Sequence, residues 1–173
     1  MQARGVCFFV LVLGCWTAQA ADNTSLKKVV KGKVEELNKA LLKEEFGKVV
    51  DLTYPKVVKM MGGREKMISV MRAGFKDRKA RGFTLRSFKV DTPSELVAAG
   101  PDLFVVVPFL LEIKAPGGRI LQKGFVIGVS SNRGKSWTFV TADQDVKQLK
   151  KILPNLPEQL KLPKREKPVF EKE

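Results

Sequence analysis

Past an apolar start, hydrophobic residues recur at intervals of three and four: Leu26, Val30, Val34, Leu37 and Leu41. That spacing puts them on one face of a helix. The helix is predicted to start at the cap-forming Asn23, Thr24 and Ser25 and to run to about Lys43, with Gly32 a weak point in it. A shorter helical piece follows, turning Phe46, Val49 and Val50 inward. Tyr54-Pro55 is predicted to close it, because the residue before a proline is pushed out of helical geometry. Val57 to Met61 is apolar, and Gly62-Gly63 breaks the pattern. A third helix from Arg64 presents Met67, Val70, Met71 and Phe75 on one face and ends among basic residues at Gly82.

After Gly82 the period changes from helical to strand-like. Phe83 to Val90 alternates, with Phe83, Leu85 and Ser87 on one face and Thr84, Arg86 and Phe88 on the other. From Leu103 to Ile113 every odd position is apolar (Leu103, Val105, Val107, Phe109, Leu111, Ile113), which marks a buried face. Pro108 within it calls for a bulge or an edge position, since it has no N–H for the ladder. Ala115-Pro116-Gly117-Gly118 is a turn. Arg119 to Val129 returns with Leu121, Phe125, Ile127 and Val129 on one face, and a second turn at 132–135 leads into Trp137 to Val140. A last helix is predicted over Val146 to Leu153, and a charged, proline-containing tail over 154–173 is expected to trail free from about Lys164.

Helices first and a meander of about four strands after them make an α+β domain, with the N-terminal helices packed in a curved, cone-like antiparallel sheet. The domain is expected over 21–153. The order of a long helix, then "FGKVVDLTYPKVVKMMGGREKMI", another helix and a meander resembles the nuclear transport factor 2-like superfamily. That superfamily, which belongs with the cystatin-like α+β folds, includes SnoaL-like and ketosteroid isomerase-like proteins. The resemblance covers roughly 26–145 and rests on Asp51, Tyr54-Pro55 and Gly62-Gly63 in that order. It implies a pocket between helices and sheet, and, as in many similar proteins, a homodimer. It leaves function open, because such folds host enzymes, carriers and assembly domains alike.

Composition narrows the chemistry. There is no histidine, so Ser-His-Asp and Cys-His catalysis and the commonest zinc ligand are out. The first twenty residues carry one charge, Arg4, then an apolar run from Val6 to Gly14 and a small-x-small Ala18-Gln19-Ala20 site. This is the layout of a secretory signal peptide over 1–20, cut after Ala20. Val12-Leu13-Gly14-Cys15 offers the alternative of a lipoprotein anchored through Cys15. The only cysteines, Cys7 and Cys15, lie in this leader, so an exported mature chain would be held by packing alone. No cofactor or metal is called for.

With 32 Lys and Arg against 18 Asp and Glu, the net charge is +14. Such a protein is drawn to anionic surfaces such as a cell envelope. Lys76, Arg78, Lys79 and Arg81 form the densest basic cluster and the best anion-facing edge. The basic residues lack interleaved aromatics, so a nucleic-acid partner is not expected.

The candidate chemistry is sparse. By the resemblance, Phe46, Val50, Met60, Met67, Met71 and Phe75 would line the pocket. Methionine suits adaptable apolar sites. Asp51 and Tyr54 would stand near its mouth, where a carboxylate beside a phenol could move a proton at carbon. Glu112 lies on the opposite parity from the apolar face and points away. The expected function is an exported, non-catalytic module binding an apolar small ligand or a protein partner. The alternative is a small isomerase, dehydratase or hydrolase using Asp51 and Tyr54. "SSNRGKSW" at 130–137 resembles an Asp-box, the hairpin of sialidase propellers. It occurs once, and its residues have structural work to do: Asn132 bonds its own turn, Gly134 supplies a positive φ, Ser136 bonds across the turn, and Trp137 packs beneath.

Overall fold

The structure is a computed structural model that describes residues 17–141 and 146–172, with backbone alone for 17–22 and Val146. The rest of the expected leader, with Cys7 and Cys15, lies outside the described residues. Helix α1 (Thr17–Leu42) is followed by α2 (Phe46–Asp51), α3 (Pro55–Met60) and α4 (Arg64–Ala80). Then come β1 (Thr84–Val90), β2 (Val97–Ala99), β3 (Asp102–Ala115), β4 (Gly118–Ser130) and β5 (Thr138–Thr141). Helix α5 (Val146–Ile152) and β6 (Val169–Lys172) are the last of the described elements. The fold is α+β: N-terminal helices, then a curved, unclosed antiparallel sheet.

The β3–β4 hairpin is the spine of that sheet, paired without a break from Leu103↔Ser130 to Ala115↔Gly118. Strands β1 and β2 share the free edge of β3, and β5 and β6 share that of β4. Pro108 therefore sits on a central strand, but where its neighbour is interrupted. Val106 bonds the linker residue Ser94, and Pro108 accepts from Asp91 N–H, just past the end of β1. Its missing N–H faces the gap between β1 and β2, so the strand is edge-like at that one residue.

The bulge lies instead at Arg86, where the register slips between Leu85↔Ile113 and Ser87↔Glu112. This corrects the simple alternation expected for β1. The extra residue lets both Leu85 and Phe88 face inward, and Ser87 turns out to meet Glu112.

Both faces of the sheet are covered. On the inner face Val105, Val107, Val126, Trp137 and Phe139 pack with Val30 and Val34 of α1. On the outer face Phe104, Val106, Phe125, Ile127 and Val129 meet Leu149, Ile152, Leu153, Leu156 and Leu160. The C-terminal segment thus does not trail free as expected. Its leucines cap the outer face, and β6 pairs with Gly118–Leu121 of β4. Gly118 permits that pairing, since a Cβ there would stand 2.1 Å from the Glu171 carbonyl oxygen.

Two helix boundaries and one helix face differ from expectation. Asn23, Thr24 and Ser25 lie inside α1, because Thr17–Asp22 has no helix breaker and continues the helix upstream. Pro55 opens α3 at its first turn, where its missing N–H costs nothing. On α4, Ile68 is buried and Val70 is 43% exposed, so the stripe runs Met67, Ile68, Met71, Phe75.

Candidate functional site

The helices stand off from part of the inner sheet face and leave a cavity of about 770 Å³. Phe88 of β1, Phe109, Leu111 and Ile113 of β3, and Gln122 and Val126 of β4 form its sheet wall. Leu37, Asn38 and Leu41 of α1, Val49 and Thr53 after it, and Met67 and Met71 of α4 form the helix wall. Phe88 and Phe109 lie with ring centroids 4.3 Å apart and planes tilted by 43°, giving the wall an aromatic surface. Arg78 and Arg81, at the C-terminal end of α4, also line it.

The expected pocket residues divide. Met67 and Met71 line the cavity. Phe46 and Val50 are buried beside it, packed with Ile68 between α2 and α4, and Phe46 meets Phe75 edge-on at 5.1 Å. Phe75 borders a smaller hollow of about 160 Å³ with Leu41, Phe83 and Leu85. Met60 is 63% exposed on the outer side of α3, because Val57 and Val58 take the inward positions of that short helix.

Asp51 and Tyr54 do not meet over the cavity, and neither lines it. Asp51 accepts from Arg64 Nε at 3.0 Å and from Nη2 at 3.2 Å at the surface. That paired guanidinium holds the carboxyl below the usual carboxylate range, the opposite of what a general base near neutrality needs. Tyr54 is the residue before α3. Its N–H bonds the Phe139 carbonyl, and its ring packs against the outer-face core. Glu112 faces outward, accepting from Ser87 at 3.2 Å and lying 3.6 Å from Arg119, which also pairs with Glu171.

Of the basic cluster, Arg78 lies 5.9 Å over the Phe75 ring and Arg81 pairs with Asp77 at 2.8 Å. Arg78 and Lys79 border the smaller hollow, and Lys76 is exposed.

The 130–137 turn closes on itself. Asn132 Oδ1 accepts from Ser130 Oγ at 3.0 Å and from Ser136 N–H at 2.9 Å, and its Nδ2 donates to Ser136 Oγ at 2.8 Å. Ser130 Oγ accepts from Gly134 N–H at 2.8 Å, and Trp137 Nε1 donates to the Gly134 carbonyl at 3.1 Å. The side chains of Ser130, Asn132, Ser136 and Trp137 are all bonded inside the turn, and Trp137 is buried beneath it.

Asn38 is the residue that sequence reasoning missed. It falls four residues after Val34 and eight after Val30, a polar residue on an apolar stripe. It is 4% exposed, and neither Oδ1 nor Nδ2 has a hydrogen-bond partner. Leu111, Ile113 and Gln122 were legible only as strand residues, because the cavity forms only when the helices stop short of them.

Among the described residues no group of three His, Cys, Asp or Glu is placed to hold a metal, and no helix is long and apolar enough to cross a membrane. Neither a protein-family model nor a curated protein nor a solved structure matches this chain.

Proposed function

We propose that this chain is an exported binding module of the nuclear transport factor 2-like kind, holding an apolar small molecule in the cavity without chemistry on it. The observation that carries the reading is the lining. A volume of about 770 Å³ walled mainly by Leu, Ile, Val, Met and Phe is of the size and character that small-ligand sites have. Its polar contributors are Asn38, Thr53, Gln122, Thr141 and two arginines, with no carboxylate among them to act as a general base. Thr53 spends its hydroxyl on the Val49 carbonyl at 2.8 Å. The net positive charge would hold the module near an anionic envelope.

Native mass spectrometry of the protein from its own exported fraction tests this. A chain beginning at Ala21 with a reproducible apolar adduct is the expected result. A bare mass, together with no uptake of a neutral apolar fluorophore, sinks the reading. Leu111→Trp, which fills the cavity, should abolish uptake. Asp51→Asn combined with Tyr54→Phe should leave it unchanged; loss of uptake there would revive the enzymatic alternative.

A further inference from the structure

The polar groups around the cavity are placed unevenly, and that distribution describes a ligand. Two guanidinium groups, Arg78 and Arg81, line one part of the wall, and no carboxylate lines it among the described residues. Arg78 is set against the Phe75 ring. Arg81 shares its charge with Asp77, while Lys76 and Lys79 on the same helix end add positive charge. A fork of donors beside an apolar volume suits an anionic head group on an apolar body, carboxylate above all. Asn38 adds a second polar station on the α1 wall: a buried amide with its donor and acceptor both unbonded. A buried amide left so is costly, and the cavity that it borders is where a partner can stand.

We propose that the ligand is an amphipathic carboxylic acid. Its carboxylate pairs with Arg78 and Arg81, its apolar body lies against Met67, Met71 and Leu111, and a hydroxyl along the body bonds Asn38. The proposal rests on the cavity being a binding site, and the test separates the two.

A neutral probe, N-phenyl-1-naphthylamine, is first bound to the mature chain, then displaced by stearate, by methyl stearate and by hydroxystearates differing in hydroxyl position. Stearate should displace it at about tenfold lower concentration than the ester, and Arg78→Gln with Arg81→Gln should erase that difference. One hydroxyl position should bind about three- to tenfold tighter than stearate, the worth of one hydrogen bond. That gain should vanish in Asn38→Leu while stearate still binds. In the unaltered protein the Asn38 side-chain amide resonances should move with that hydroxystearate and not with stearate, a readout that survives a poorly folding variant. Equal affinity for acid and ester, or indifference to every hydroxyl position, overturns the proposal and leaves the cavity reading standing. Failure of the neutral probe to bind at all overturns both.

Discussion

Replacing Gly134 with alanine is expected to destabilise the fold while leaving the cavity alone. Gly134 has φ +85°, in the region where an L-residue pays about 1–2 kcal/mol. An added Cβ would stand 2.5 Å from Leu26 Cδ2 and 3.3 Å from Cδ1, so the α1 side chain must move. Forcing such a shift in packed surroundings costs about 1–3 kcal/mol, and the two effects together come to about 2–5 kcal/mol. Urea unfolding followed by Trp137 fluorescence measures this, since that indole is buried under the turn and Trp16, the other one, falls in the expected leader. Leu26→Ala removes the clash and keeps the backbone strain. In its presence the cost of Gly134→Ala should therefore fall by about 1 kcal/mol, within the range seen for residues in contact. A loss under about 0.5 kcal/mol, or the same loss with and without Leu26, would refute the docking of this turn on α1. A variant as stable as the parent that no longer took up the apolar probe would place the turn in the binding site instead.

Asn132→Ala removes three hydrogen bonds within the turn and should cost about 1–2 kcal/mol by the same unfolding assay, less than their sum because the turn is solvent-exposed. Asn132→Asp keeps the acceptor that two donors use and should stay within about 0.5 kcal/mol of the parent. Leu160→Ala should cost about 2–4 kcal/mol, since that side chain is 5% exposed over the outer sheet face; a loss near zero would mean that the C-terminal segment does not cover the sheet. The Asp51 carboxyl should titrate below the usual carboxylate range by NMR, and Arg64→Gln should raise it. Because its folded pKa is lowered, its contribution to stability is present above the unfolded value and is lost as pH falls through the folded one. That contribution is small, as both partners are about half exposed. An Asp51 that titrates identically with and without Arg64 would contradict the pairing.

The chain's hydrophobic periods were a sound guide wherever one element's own pattern decides its face. The Val30–Val34 stripe, the odd positions of β3 and the Gly62-Gly63 break all stand as the spacing implies, because burial of an apolar stripe is a property of the element itself. The 130–137 turn was legible to the level of individual roles, since its hydrogen bonds run between residues at most four apart. Alternation failed at β1, where a single bulged residue reverses the facing of all that follows. Nor did the pattern show the partner of Asp51, since Arg64 lies thirteen residues on and is brought near only when α2 packs on α4.

Sequence alone, then, determined the α+β order, the core face of the long helix, the turn at 130–137 and the absence of histidine chemistry, each a matter of local pattern or composition. Tertiary structure alone decided that both sheet faces are covered, that a charged, proline-rich C-terminus supplies leucines to the core, and that Asn38 borders a cavity walled by Phe88, Phe109 and Leu111. Those outcomes depend on residues dozens of positions apart meeting in space. A cavity has no residues of its own, only those of the elements that fail to close over it.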